Sequence, residues 1–246
     1  MSYSNGPRII TDGLVLCLDA GNIKSYSGSG TSWNNLATTG SITLNAGQSF
    51  STNNKGYIVF NGTTDAIFPS TTHSYLSSSC LETTIYSVAH SGTGNKTIIG
   101  YRHNAGYTSP TIGSIYLNGN TLSASVITTT QVYRIATSSL PVVSGQWYHI
   151  CLNKDTTNGS LELFVNGISR GSQTFDVATY AQWPSSGNYI GANTLDIGKS
   201  TNTNSGQGWS ADYFNGYYSN IKLYSRILTS REILQNYNSI KGRFNL

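Results

Sequence analysis

Acidic side chains, which carry most glycan hydrolysis, are scarce in this sequence. Of its 246 residues only three are glutamate (Glu82, Glu162 and Glu232) and seven are aspartate. Glycosidases need two facing carboxyl groups, about 5 Å apart in retaining enzymes and roughly 6.5–9.5 Å apart in inverting ones. The local patterns place Glu232 in a helix cap, Glu162 on the outward side of an L-E-L strand, and Glu82 before a strand. We therefore predict that the protein is not an enzyme.

His149 could in principle act as a general base or bind a metal. It lies in the run WYHICL, where Trp147, His149 and Cys151 share one face of an apolar strand. No second histidine is close in sequence, and no Ser-His-Asp, C-x-x-C, H-E-x-x-H or phosphate-binding glycine motif is present. We favour a hydrogen-bonded core histidine over a catalytic one.

Tryptophans in polar loops offer a different chemistry, the stacking of sugar rings between amides and hydroxyls. Trp183 in AQWPSSGNY and Trp209 in GQGWSADY lie in such loops, and Trp33 in TSWNNL is a third candidate. The alternative, which we weigh more heavily, is that each tryptophan fills an end of the domain or a subunit interface. The polar neighbours that would complete a sugar site are Asn188, Asn193, Asn202 and Asn204.

The composition is weakly charged and rich in tyrosine. Only 10% of residues are charged, well below the usual quarter, and 17 are tyrosine. The net charge of +4 comes from scattered lysines and arginines, so we expect no nucleic-acid partner. No apolar run approaches the roughly 18 residues of a membrane span, and the first residues do not follow a secretory signal pattern. We expect no membrane partner.

The cysteines, Cys17, Cys80 and Cys151, are odd in number. Cys17 and Cys151 lie inside apolar strand patterns, where a thiol acts as a small buried hydrophobe. We therefore predict no disulfide framework, and synthesis in a reducing cytoplasm.

The stretch from Phe214 to Ile240 predicts a central strand followed by a short helix. Thr229 and Glu232 form a T-x-x-E capping box, and Leu228 and Ile233 stand at the positions of a hydrophobic staple. Strand alternation predicts two faces: Tyr217, Ser219, Ile221 and Leu223 on one, and Tyr218, Asn220, Lys222 and Tyr224 on the other. The apolar face of the helix would comprise Ile233, Leu234, Tyr237 and Ile240.

The rest of the chain consists of short apolar runs punctuated by turns. This pattern predicts an all-β sandwich with one short C-terminal helix. We expect a single domain over residues 9–246, preceded by an N-terminal arm of residues 1–8 that makes an assembly contact. The Asn-Gly turns that separate strands are Asn61-Gly62, Asn118-Gly119, Asn158-Gly159 and Asn166-Gly167.

Several segments resemble concanavalin A-like lectin/glucanase domains of the laminin-G and pentraxin type. WYHICLNKDTTNGSLELFVNG is similar to a W-x-H hairpin of that family, and FNGYYSNIKLYSRILTSREI is similar to its closing element. YIVFNGTTDAIF matches an earlier strand pair. The opening TDGLVLCLDAGN, the spacing to TSWNNL and the ending NYNSIKGRF are similar to modules in virion proteins of tailed phages.

The resemblance implies a two-sheet jelly-roll β-sandwich. The hydrolases of this fold carry an E-x-D-x-x-E strand that is absent here, and calcium, the family's common ion, would fall at Asp65 and Asp212. We favour turn hydrogen bonds over calcium at these two residues, and expect no cofactor.

The leading interpretation is a non-enzymatic virion protein, a capsid decoration, head-fibre or tail-fibre component made in the host cytoplasm. Its partners would be other virion proteins, further copies of itself and possible host-surface glycans. A free carbohydrate-binding lectin module is the alternative, and a glycoside hydrolase is a remote one.

Overall fold

A computed structural model describes residues 7–64, 66–68, 78–88, 95–101, 113–127, 133–178, 195–199 and 212–246. The described strands are β1 (Leu14–Asp19), β2 (Ser32–Asn34), β3 (Ser41–Thr43), β4 (Ser49–Ser51), β5 (Tyr57–Asn61), β6 (Ala66–Phe68), β7 (Ser79–Ser87), β8 (Asn95–Tyr101), β9 (Gly113–Asn118), β10 (Thr121–Ile127), β11 (Tyr133–Thr137), β12 (Gln146–Asp155), β13 (Ser160–Val165), β14 (Ile168–Thr174), β15 (Leu195–Ile197), β16 (Asp212–Tyr213) and β17 (Asn215–Tyr224). A 3-10 turn spans Asn53–Lys55, and the helix α1 spans Ser230–Phe244.

The strands form two sheets, which confirms the predicted jelly-roll sandwich. Sheet 1 has the order β14-β13-β12-β7-β17-β5-β4, with β1 also paired to β17. Sheet 2 has the order β11-β10-β9-β8-β15-β6-β3-β2, with β16 paired to β8. β17 pairs with β7 along its length, with β5 at its start and with β1 at its end. The stretch that the sequence singles out is therefore the central strand of sheet 1.

β12 is covered on both of its faces along its central residues, which explains why it is apolar on two sides. Ile150 and Leu152 face the main core between the sheets. Cys151 faces the opposite way, into a smaller cluster with Leu228 and Ile233 beneath α1. Cys17, Cys80 and Cys151 are all buried free thiols, as predicted for those in apolar strands.

The helix begins and ends where its sequence signals lie. The Thr229 side chain accepts a hydrogen bond from the Glu232 backbone N–H, and the Glu232 carboxylate accepts one from the Thr229 N–H, which completes the capping box. Asn245 ends the helix in the left-handed conformation. Leu234 is 44% exposed, so its predicted place on the buried face is wrong. The buried face instead contains polar Asn236, which hydrogen-bonds to Glu82 and the Ile10 backbone.

A β-bulge corrects the predicted faces of β17. The pairing to β7 skips one residue between Tyr218 and Asn220, so Ser219 is an extra residue with no partner in β7. Tyr218 and Ile221 consequently both belong to the main core, while Tyr217 lies on the opposite face. Strict alternation fails because a bulge adds a residue without changing the neighbouring composition.

The first described residues are hydrogen-bonded to the C-terminal helix α1. The Gln235 side chain donates a hydrogen bond to the Arg8 carbonyl, and the Ile10 N–H donates to Asn236. The division into an arm of residues 1–8 and a domain of 9–246 stays a prediction, since residues 1–6 lie outside the described ones. Within the described part, no helix combines the length and apolar character needed to cross a membrane.

Candidate functional site: an aromatic groove on sheet 1

Four aromatic side chains line a groove on the outer face of sheet 1. Trp147, Tyr86, Tyr217 and Tyr57 come from β12, β7, β17 and β5, which are consecutive strands in the sheet. The register places Trp147 opposite Tyr86, and Tyr86 opposite Tyr217. The groove has a volume of ≈ 480 Å³ and is completed by Asn53 and Asn54 of the 3-10 turn. We call these six residues the aromatic groove.

The three tyrosine rings form a stack across neighbouring strands. The ring centroids of Tyr86 and Tyr217 are 4.8 Å apart with planes at 5°, and those of Tyr57 and Tyr217 are 4.7 Å apart at 9°. Trp147 meets the ends of the stack edge-on, 5.5 Å from Tyr57 and 5.4 Å from Tyr86. Contacts of this kind are favourable beyond the burial of their area, so each ring stabilises the position of its neighbours.

The stacking determines which parts of the tyrosine side chains a ligand can contact. Both faces of the Tyr217 ring are covered by its neighbours, so a ligand meets its edge and its hydroxyl group. Burial raises the pKa of the Tyr217 hydroxyl, and the neighbouring Tyr57 and Tyr86 raise it further, so the group stays a neutral hydrogen-bond donor. Together with the Asn53 and Asn54 amides, the groove presents uncharged donors and acceptors on an aromatic base.

The end of α1 borders the groove on the same face of sheet 1. The Phe244 ring lies 4.4 Å from that of Trp147, whose side chain is 8% exposed. The preceding residue, Arg243, donates hydrogen bonds to the carbonyl oxygens of Asn54 (2.6 Å) and Gly56 (2.5 Å). Gly21 lies so close to Arg243 and the Lys55 carbonyl that any Cβ there would collide with both. The C-terminal helix therefore fixes two walls of the groove.

A second polar group, the buried cluster of Glu82, His149, Lys222 and Asn236, lies under α1 on the same face. The Lys222 ammonium is 2.5 Å from Glu82 Oε1, and His149 Nε2 is 3.1 Å from the same oxygen. Asn236 donates to the other carboxylate oxygen at 2.7 Å. All four residues are buried, so their charged and polar groups meet one another and not the solvent.

The buried cluster settles two predictions. Glu82 lies inside β7, so its predicted place before a strand is wrong; a charged residue in a strand gives no local sign of burial. His149 is fully buried, as predicted, but neither ring nitrogen makes the hydrogen bond that was predicted for it. Its ring contacts Glu82 without the alignment of a hydrogen bond, while its backbone N–H is bonded to Asn166.

The other two glutamates are engaged in structural contacts. Glu232 accepts hydrogen bonds from Arg226 at 2.6 and 3.0 Å in addition to capping α1. Glu162 accepts a hydrogen bond from Ser169 at 2.6 Å on the edge hairpin of sheet 1.

Of the predicted sugar-binding residues, Trp33 is contradicted. It lies in β2 and is 0% exposed, so its ring is core and cannot stack on a sugar. Its burial agrees with the alternative that we weighed more heavily, in which this tryptophan fills part of the domain. The candidates Trp183, Trp209, Asn188, Asn193, Asn202 and Asn204 lie outside the described residues and stay predictions.

The calcium prediction stays open. Asp65 lies outside the described residues, as does the side chain of Asp212, whose backbone begins β16. Across the described ranges, no group of three or more His, Cys, Asp or Glu side chains could hold a metal ion.

Comparison with known proteins identifies the family. A family model described as the concanavalin A-like lectin/glucanases superfamily, of the laminin-G type, matches residues 61–234. The chain belongs to that superfamily. No curated protein matches this concanavalin A-like chain significantly.

Solved structures share the fold at low identity. The binding domain of botulinum neurotoxin DC in complex with SialylT has a TM-score of 0.68, 12% identity, and covers 94% of this chain and 52% of its own. The binding domain of Paraclostridial Mosquitocidal Protein 1 has a TM-score of 0.67, 14% identity, and covers 93% and 52%. Trypanosoma rangeli sialidase has a TM-score of 0.65, 17% identity, and covers 95% and 34%. This concanavalin A-like chain thus spans about half the length of the toxin domains and a third of the sialidase.

Sequence reasoning missed the aromatic groove. Tyr57, Tyr86, Trp147 and Tyr217 are spread over 160 residues, and no local motif links them. The one available signal was that each occupies the position in its strand facing away from the core, which marks a shared face without showing contact.

Proposed function

We propose that this protein is a non-enzymatic carbohydrate-binding module that uses the aromatic groove to hold a glycan. The observation that carries the proposal is the groove itself: a base of stacked aromatic rings flanked by amides and a tyrosine hydroxyl. Sugars carry many hydroxyl groups beside apolar C–H groups, so the ring edges, the tyrosine hydroxyl and the amides of this groove complement them. The lectin-like fold supports the same function at a coarser level.

The proposed setting is the surface of a tailed-phage particle, as a capsid decoration, head-fibre or tail-fibre component. Support comes from TDGLVLCLDAGN, TSWNNL and NYNSIKGRF, which are similar to virion modules. Attachment would bury apolar area against other virion chains or further copies of this one, leaving the groove free for a host glycan. The N-terminal arm of residues 1–8 is our candidate for the contact.

The binding function is tested on a glycan array with the wild-type protein and Tyr217→Ala. We expect wild-type binding and at least about tenfold weaker binding by the variant, because the central ring of the stack is lost. Tyr237→Ala is the matched control, since Tyr237 is a partly exposed tyrosine of α1 outside the groove. Equal binding by wild type and Tyr217→Ala would place the site elsewhere, with Trp183→Ala and Trp209→Ala as the next variants.

The virion setting is tested separately. Mass spectrometry of purified phage particles should detect the protein, and an antibody against it should label intact particles at fixed positions. A protein found only in the lysate supernatant would contradict the virion setting and favour a free lectin module.

A further inference from the structure

Arg243 holds the wall of the aromatic groove, but its guanidinium group is bonded to backbone carbonyls and to Asp19. Its Nε donates to the Asn54 carbonyl, and its Nη2 donates to those of Lys55 and Gly56. Its Nη1 donates to Asp19 at 2.8 Å, and the side chain is 11% exposed. Four of the five N–H donors of the guanidinium are thereby used, and a carboxylate balances its charge. This cation is not available to an anionic ligand.

The turn that Arg243 holds has an unusual backbone. Asn54 and Lys55 have φ values of 48° and 61°, a region that residues other than glycine rarely adopt. Such a conformation persists when its surroundings determine it, and hydrogen bonds from one guanidinium to three consecutive carbonyls do so here. The same turn carries Asn53 and Asn54 into the groove.

The groove is uncharged throughout its described lining. Its residues are asparagine, tyrosine and tryptophan, none of which is ionised near neutral pH. Lys55, the neighbouring cation in sequence, lines a separate pocket of ≈ 540 Å³ on the other side of the turn, with Tyr26 and Phe50. An acidic sugar would lose hydration in the groove without gaining a partner for its carboxylate.

We propose that the aromatic groove selects uncharged saccharides, and that Arg243 is the positioning residue that sets the Asn53 and Asn54 amides for them. This inference rests on the proposed glycan-binding function. Specificity then comes from amide and hydroxyl hydrogen bonds, whose geometry depends on the end of α1.

Ligand class is tested on an array of matched pairs, each a neutral oligosaccharide and its sialylated or uronic-acid counterpart. We expect binding to neutral members, unchanged at about 0.5 M salt, where exposed charge interactions are screened. Preference for acidic members, lost at high salt, would overturn the inference and leave the glycan-binding function standing. Binding to no member would overturn both.

The positioning role is tested with Arg243→Lys, which keeps the charge and loses the forked hydrogen bonds. Arg226→Lys is the control, because Arg226 is likewise held by several hydrogen bonds but lies at the other end of α1. We expect Arg243→Lys to weaken binding of the best neutral glycan at least about tenfold, with a thermal midpoint similar to that of Arg226→Lys. An unchanged Kd for Arg243→Lys, or an equal loss in Arg226→Lys, would refute the positioning role.

Discussion

The ammonium group of Lys222 lies 2.5 Å from the carboxylate of Glu82, and both side chains are buried beneath α1. The two residues face each other across β17 and β7. Burial by itself would raise the pKa of Glu82, but Lys222 and His149 outweigh it and hold that pKa below its usual range. The carboxylate is therefore ionised, and its charge is balanced within the fold.

Removing the charge of one partner of this ion pair should lower the free energy of unfolding. Glu82→Gln leaves the Lys222 ammonium buried without its counter-charge, and we expect a loss of about 3–5 kcal/mol in the free energy of unfolding. Urea denaturation followed by circular dichroism measures this. Glu162→Gln, on the partly exposed face of β13, should change stability by less than about 0.5 kcal/mol. Equal, small losses in both variants would contradict the structural role of the pair.

The Tyr217 hydroxyl should matter for binding separately from its ring. Tyr217→Phe keeps the stack with Tyr57 and Tyr86 and removes one donor, so we expect the Kd for a bound glycan to rise roughly 2- to 12-fold. Isothermal titration calorimetry gives the Kd, and the thermal midpoint should stay near that of the wild type. A Kd that does not change would show that the ligand does not use the edge of the central ring.

Lys154 should give the protein a stability that increases with pH. Burial lowers the pKa of its ammonium group to about 7, against 10.5 as the ordinary value. Between these values the unfolded chain binds more protons than the folded one, so the free energy of unfolding rises with pH. Urea unfolding from about pH 6 to about pH 9 should show this rise, and Lys154→Met should reduce it. Exposed Lys24→Met is the control and should leave the slope unchanged.

The start of α1 should lose support in acid. Hydrogen bonds from Arg226 lower the pKa of Glu232 to about 2, from an ordinary 4.5. The resulting stability is present above pH 4.5 and is lost as the pH falls toward 2. Glu232→Gln keeps the capping box but removes the charge, so we expect a lower thermal midpoint at pH 7 and a smaller decrease between these two pH values. A wild-type acid profile in this variant would contradict the assignment.

The sequence by itself determined the local elements and the family. The capping box at Thr229 and Glu232, the two-sided apolar strand WYHICL and the strand that becomes β17 all follow from short-range patterns, because caps and alternation act over a few residues. These patterns, in their order along the chain, were enough for the concanavalin A-like sandwich.

Only the tertiary structure decided which side chains meet. Sheet order brought Tyr57, Tyr86, Trp147 and Tyr217 together, and one bulge at Ser219 turned Tyr217 toward them. Trp33 shows the converse, since a polar strand of three residues left both a core role and a sugar-binding role open, and only the fold buries its ring fully. The physical reason is that alternation assigns a residue to a face of its own strand, whereas strand neighbours and the cover over that face are set by contacts between distant segments.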